Sequence, residues 1–354
     1  MATYYTSSLA TGSGIGTYAN PWTLQQAFDN AIAGDEVRIL NDGTYLPTTR
    51  IDIDTNRGAS SAATINYYGR KSDDTAYEMA TISGTSIVGT ALINFGFTSG
   101  STSSFLRFHD LRFTASPSGQ DLFASSGSFY MRNNAFVRCR FDNSGRYGFS
   151  GGFTNLFDRC VFDANASLHL FSTSSSFFVN CFFRGAARIF QATSCIFCYC
   201  VFTGSGDFYS NNPLAFINCT FDGKGTIARI IQTVGDGPFY VNNIIANYTS
   251  IAIDGGTSQL PKLSGNLFYN NGTNINFSTI EANSVTGNPL WTNTTTGSED
   301  YSLQPTSAAA GAAQPGTIPH PSTSGNVGYA TMGALIPASG TSKPTSPFSQ
   351  QVIA

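Results

Sequence analysis

The stretch Phe136–Asn143, "FVRCRFDN", returns as "FDRCVFDA" from Phe157, "FVNCFFRG" from Phe178, "FCYCVFTG" from Phe197 and "FINCTFDG" from Phe216. Taking each central cysteine as position zero, Cys139, Cys160, Cys181, Cys200 and Cys219 follow one another at separations of 21, 21, 19 and 19 residues. A period near 20 with varying loop length is the signature of a solenoid. The frame extends beyond the cysteines: Leu111 takes position zero upstream, Asn243 and Asn266 downstream, giving about eight coils between residues 105 and 270.

Two residues after zero stand Phe113, Phe141, Phe162, Phe183, Phe202, Phe221, Ile245 and Phe268. On an extended segment this spacing puts position zero and its partner on one face. Three residues before zero stand Phe108, Phe136, Phe157, Phe178, Phe197, Phe216, Tyr240 and Leu263. An odd spacing sends that column to the opposite face of a straight strand, so a bend between the columns is expected. Asn180, Asn218 and Asn242, just before zero, suit it because Asn tolerates the left-handed backbone region. Short strands in coils of about 20 residues, stacked at about 4.8 Å, describe an all-β, single-stranded right-handed parallel β-helix filled by ladders of like residues. A sandwich would instead show strands every 8–12 residues without rung-on-rung identity.

Composition agrees. Charged residues make up 11% of the 354, against about 25% in an ordinary domain, and 29 phenylalanines outnumber 4 methionines and 2 tryptophans. A net charge of -3 with no basic run gives no surface for neutralising nucleic-acid phosphates. No stretch approaches a membrane span, and "MATYYTSSLATGSG" is no ordinary export signal, so no membrane insertion is expected.

Residues 3–47, ending "AIAGDEVRILNDGTYLP", resemble the start of the pectate-lyase-like right-handed β-helix superfamily, in which a short helix caps the first coil. Thr23 and Gln26 form a plausible capping box, Leu24, Ala27, Phe28 and Ala31 an apolar stripe, and Gly34 a stop before "EVRIL". "GNPLW", "DYSLQPTSAAAGAA" and "NVGYATMGALI" are similar to closing coils of that superfamily. The expected organisation is a strand and capping helix over 1–45, the β-helix with its closing coils over 46–336, and a Pro/Ser/Thr-rich tail over 337–354.

The internal cysteines form a line, whereas zinc needs about four tetrahedral ligands. Cys139, Cys160, Cys181, Cys200 and Cys219 therefore read as an internal ladder of small apolar residues, with no metal and no cofactor. Among carboxylates, Asp142 and Asp163 occupy the same position on consecutive rungs, near the separation used by retaining glycosidases. With Asp158, Arg138, Arg159 and Arg184 they are the candidate catalytic residues, although interleaved Arg and Asp also describe a solvated ion-pair ladder. His109 and His169 have no visible partner and read as structural.

The residue after zero, expected to face outward, reads Arg140, Val161, Phe182, Val201, Thr220, Ile244 and Leu267. An outward apolar strip points to an oligomer or glycan contact. Together with the low charge and the polar tail, it makes the chain resemble the rod and spike proteins of bacteriophage virions. That resemblance implies a virion structural protein: a tail spike, head fibre or capsid decoration, homotrimeric, located in the virion, contacting other virion proteins and host-surface polysaccharide. The alternative is a polysaccharide lyase or glycoside hydrolase acting on a surface or extracellular polysaccharide, secreted by a non-classical route.

Overall fold

A computed structural model describes residues 1–53, 63–87, 91–95, 105–114, 121–125, 130–142, 148–163, 169–185, 188–191, 194–204, 208–210, 214–227, 229–233, 238–254, 261–276, 283–313, 317–319, 326–328 and 333. The 337–354 tail and most of the 326–336 motif lie outside the described residues. The chain divides into two compact units, residues 1–177 with 185–191 and residues 178–184 with 192–354. Each is built from stacked coils of a right-handed parallel β-helix.

In the first unit the strands Thr3–Thr6, Glu36–Asn41, Ile65–Lys71, Leu106–His109, Tyr130–Val137 and Phe149–Asp158 pair in parallel, each with the next. A second row pairs Ala80–Ser83, Leu111–Thr114, Arg140–Asp142 and Val161–Asp163. The Ala80–Ser83 strand adds a coil upstream of those legible from the motif, with Ile82 opposite Phe113. In the second unit one row runs Phe182–Arg184, Val201–Thr203, Thr220–Asp222, Ile244–Ala246, Leu267–Tyr269 and Val285–Thr286. Another runs Ile196–Cys198, Ala215–Ile217, Phe239–Val241 and Lys262–Ser264.

The expected bend is a single residue in the left-handed region. Asp110, Arg138, Arg159, Asn180, Tyr199, Asn218 and Asn242 have φ between 51° and 56°, and Gly265 has φ 60°. Rotating one residue out of the extended region turns the chain and brings both aromatic columns to the inside. Rings then stack along each unit. In the first, Tyr67, Phe108, Phe136 and Phe157 succeed one another at 5.2, 4.9 and 5.1 Å. Phe113, Phe141 and Phe162 form a second stack at 5.6 and 4.9 Å, meeting the first edge-on. A third stack, Phe95, Phe123 and Phe149, stands outside the motif. The second unit repeats the scheme with Phe178, Phe197, Phe216 and Tyr240, and with Phe183, Phe202 and Phe221.

The cysteines line the inside as expected; all seven are buried and free. Ladder thiols donate to carbonyls of the preceding coil. Cys139 Sγ donates to Phe108 O at 3.4 Å and Cys160 Sγ to Phe136 O at 3.3 Å in the first unit. In the second unit Cys200 and Cys219 bond Phe178 O and Phe197 O. Asn243 and Asn266 perform the same task better, their Nδ2 groups donating to Phe216 O and Tyr240 O at 3.0 Å. Burial, then the adjacent Cys181 and Cys219, pushes the Cys200 thiol well above its usual range, and burial does the same to Cys198. These thiols stay protonated.

The helix Leu24–Asn30 begins as the sequence implies. Thr23 accepts from Gln26 N at 3.2 Å, Gln26 Oε1 accepts from Thr23 N at 2.9 Å, and Leu24, Ala27 and Phe28 are buried. Gly34 has φ 93°. No helix among the described residues is long and apolar enough to cross a membrane.

Phe136 touches both ring neighbours in its stack and the edges of Phe123, Phe141 and Phe149. Replacing it with Ala is expected to cost about 3–5 kcal/mol, read as a lowered urea midpoint. Asn243→Ala removes the side-chain donor to the Phe216 carbonyl and the acceptor of the Cys219 amide, which bonds Asn243 Oδ1 at 2.7 Å. A loss of about 1–3 kcal/mol is expected from the same measurement.

Candidate functional site

The outward strip is corrected by the structure. In the second unit Val201, Thr220, Ile244 and Leu267 are 0% exposed and Phe182 is 7% exposed, because the same chain covers them. Leu303 and Ala309 pack with Ile244 and Leu267, and Tyr301 lies 6.3 Å from the Phe182 ring. The covering segment is an antiparallel pair, Trp291–Asn293 with Asp300–Leu303. It is fastened by polar contacts. The Tyr301 hydroxyl donates to Asp222 Oδ2 at 2.8 Å and lies 2.8 Å from Thr203 Oγ1. Glu299 takes Arg184 at 2.9 Å, and Lys224 Nζ donates to Thr294 O. Arg184 is thereby engaged with an internal carboxylate, and the strip is filled by the protein itself. In the first unit, the strip member Val161 is also buried, and Arg140 is half-buried in an ion-pair network.

That network contains Asp142 and Asp163, which the register places opposite each other on adjacent strands, as their spacing predicts. Arg140 bridges them, with Nε at 2.7 Å from Asp142 and Nη2 at 2.7 Å from Asp163. Arg112 holds the other oxygen of Asp142 at 2.6 Å. Asp142 is buried, so both of its oxygens are committed to guanidinium groups. This pair matches the ion-pair ladder better than an open catalytic couple.

The remaining candidates gather along the left-handed corners of the first unit. Arg138 grips Asp110 through Nε at 2.7 Å and Nη2 at 2.5 Å. One coil on, Arg159 contacts Asp158 Oδ2 through Nε at 3.0 Å and Nη2 at 2.7 Å. Asp158 Oδ1 is buried without a hydrogen-bond partner among the described residues. In the adjoining column, parallel register aligns Arg38, Tyr68, His109, Val137 and Asp158 on successive strands. Tyr68 stacks on His109 at 4.5 Å, and Tyr77, exposed, sits 5.6 Å from Tyr68 with Arg70 over its ring at 4.5 Å. Tyr68 and Asp110 escape the sequence reading, which takes His109 as structural. The signal for Asp110 was there: it shares the position just before zero with Arg138 and Arg159.

Burial of the imidazole, aided by the positive field of Arg138, pushes the His109 pKa down to about 4. Among the described residues no three metal-binding side chains cluster.

No family model matches the chain, and no curated protein matches it. Solved structures do match. Pectate lyase Pel9A superposes with a TM-score of 0.61 at 12% identity, covering 95% of this chain and 96% of that one. A mannuronic acid specific polysaccharide family 6 lyase from human gut microbiota superposes with a TM-score of 0.50 at 14% identity, covering 79% and 77%. At these identities the likeness is one of fold, and it is that of the pectate-lyase-like β-helix.

Because His109 is neutral in the folded protein below its unfolded pKa of about 6.5, the unfolded chain takes up the proton first. Stability should therefore fall as pH drops from about 6.5 towards 4. His109→Gln is expected to flatten that part of a melting-temperature profile against pH; an unchanged slope would rule the assignment out.

Proposed function

We propose that the protein acts on a surface or extracellular polysaccharide, as a lyase or glycoside hydrolase, along the corner strip of its first unit. The observation that carries this reading is the pair of partly exposed guanidinium groups on consecutive coils, Arg138 and Arg159, beside the Tyr68–His109 stack and the unpartnered oxygen of Asp158. Each guanidinium is fixed by a carboxylate through Nε and Nη2, and neither Nη1 has a partner among the described residues. A sugar chain lying along the coil axis meets one such group per rung of about 4.8 Å, a length on the scale of one sugar ring. The fold likeness to two polysaccharide lyases supports the same class.

In the lyase form, a guanidinium neutralises a uronate carboxylate and so acidifies the adjacent C–H. Asp158 accepts that proton on the Oδ2 that Arg159 holds, the C–H electron pair becomes the ring double bond, and the glycosidic oxygen leaves with a proton from water, giving an unsaturated sugar. Asp142 and Asp163 take no part, being held by Arg112 and Arg140.

A second reading is favoured by one observation: each candidate carboxylate already holds an arginine, an arrangement suited to gripping a glycan without cutting it. That is the role expected of a virion fibre.

Polyuronates and neutral polysaccharides incubated with the full-length protein separate the two, with ultraviolet absorbance reporting unsaturated ends and a reducing-sugar assay reporting hydrolysis. Cleavage that falls by about 10²–10⁴-fold in Asp158→Asn, and comparably in Arg138→Ala, is expected for the enzyme. Retention on an immobilised polysaccharide without cleavage establishes the binding role instead. Neither cleavage nor retention on any polymer overturns both.

A further inference from the structure

Near its start the first unit holds a cleft of about 350 Å³ lined by Ser7, Ser8 and Ala10, by Thr23–Gln25, and by Tyr45–Thr49 with Ile51. The size lies within the range of roughly 300–1,000 Å³ typical of small-molecule sites. Its wall is mixed, and no charged side chain lines it. The two serine hydroxyls are already spent: Ser7 and Ser8 Oγ donate to Asp42 at 2.5 and 2.8 Å. Gln25 Nε2 is likewise committed, to Asp29 and to the Asp52 carbonyl. The Gln25 Oε1 acceptor and the Thr48 and Thr49 hydroxyls have no partner among the described residues. Facing the same space are Leu46, 54% exposed, Pro47 and the buried ring of Tyr45, whose hydroxyl is turned to the Thr6 and Leu40 carbonyls.

We infer that this cleft binds a single neutral sugar residue. A pyranose presents a rim of hydroxyls and faces of C–H groups. The free amide oxygen and two hydroxyls suit the rim, while Leu46 and Pro47 suit a face. A uronate carboxylate would find no cation here, so the site discriminates against acidic sugars by leaving that charge unpaired. The rigid part of the wall is well fixed, because Asp42 receives Ser8 N at 3.0 Å in addition to both serine hydroxyls. Gly43 follows Asp42 closely enough to Ser8 that an added Cβ would come within 2.6 Å of Ser8 Oγ. The inference stands independently of the polysaccharide activity proposed for the corner strip, since its test requires no cleavage and no acidic polymer.

The experiment is saturation-transfer NMR on the full-length protein with the methyl glycosides of glucose, galactose and mannose, and with galacturonate and glucuronate for comparison. At least one neutral glycoside should receive saturation from the protein. The Thr48→Val, Thr49→Val double variant should weaken it about tenfold, the loss of roughly one hydrogen bond. Leu46→Ala should weaken it as well, with an unchanged circular dichroism spectrum showing that both variants fold. The site is overturned if no neutral glycoside binds, if the uronates bind as tightly, or if both variants bind as the parent does.

Discussion

Everything in this fold depends on one residue per coil leaving the extended region of backbone space. At Asp110, Arg138 and Arg159 in the first unit, and Asn218 and Asn242 in the second, φ near +50° turns the chain between two strand rows. The turn also sets the side chain that follows it against a buried carbonyl of the preceding coil, and buried carbonyls take donors. A thiol donates there at Cys139, Cys160, Cys200 and Cys219 and an amide at Asn243 and Asn266. Cysteine and asparagine look chemically unrelated in the sequence, yet both are small enough for the interior and both carry a donor at the required reach. The cysteine repeat is thus a hydrogen-bonding device within a ring-filled core.

Exact stacking also dictates the electrostatics of the outer surface. A parallel register sets like residues beside like, so Arg112 lies opposite Arg140 and Asp142 opposite Asp163. Two like charges 4 Å apart repel by about 1 kcal/mol in water and about 4 kcal/mol at an effective dielectric of 20. The protein relieves this by setting an arginine column beside an aspartate column and cross-bonding the two, with Arg140 reaching both carboxylates. The apparent catalytic couple in the sequence arises from this neutralisation. At the corners the same logic is incomplete: Arg159 uses only one oxygen of Asp158 and leaves the other unmatched.

The repeating frame was legible because its determinants are local. Position zero, its aromatic partners and the bend lie within six residues of one another, and stacking repeats them. The third stack, Phe95, Phe123 and Phe149, falls beyond loops of unequal length, so its members are 28 and 26 residues apart and drop out of a frame near 20. The cover over Ile244 and Leu267 was illegible for a different reason. Leu303 and Ala309 carry no periodicity, and the strip they fill has the same alternation an exposed contact surface would have. Apolar residues on the outer face of a strand show that something covers them, not whether it comes from the same chain. The corner strip lay between these extremes: its arginines were visible, while Tyr68 and His109 become neighbours only through register between Ile65–Lys71 and Leu106–His109.

The capping helix has a consequence for growth. A stack of rungs carries no intrinsic limit on its length, and an open ring column beside unpaired strand edges is a template for adding further layers, as in amyloid. Here the column Tyr67, Phe108, Phe136 and Phe157 does not end on an open rung. Phe28, held down by the Thr23–Gln26 box, lies 4.8 Å from Tyr67 and closes the column with a helical side chain. One seven-residue helix therefore sets a side chain, rather than a further aromatic rung, against the Tyr67 ring.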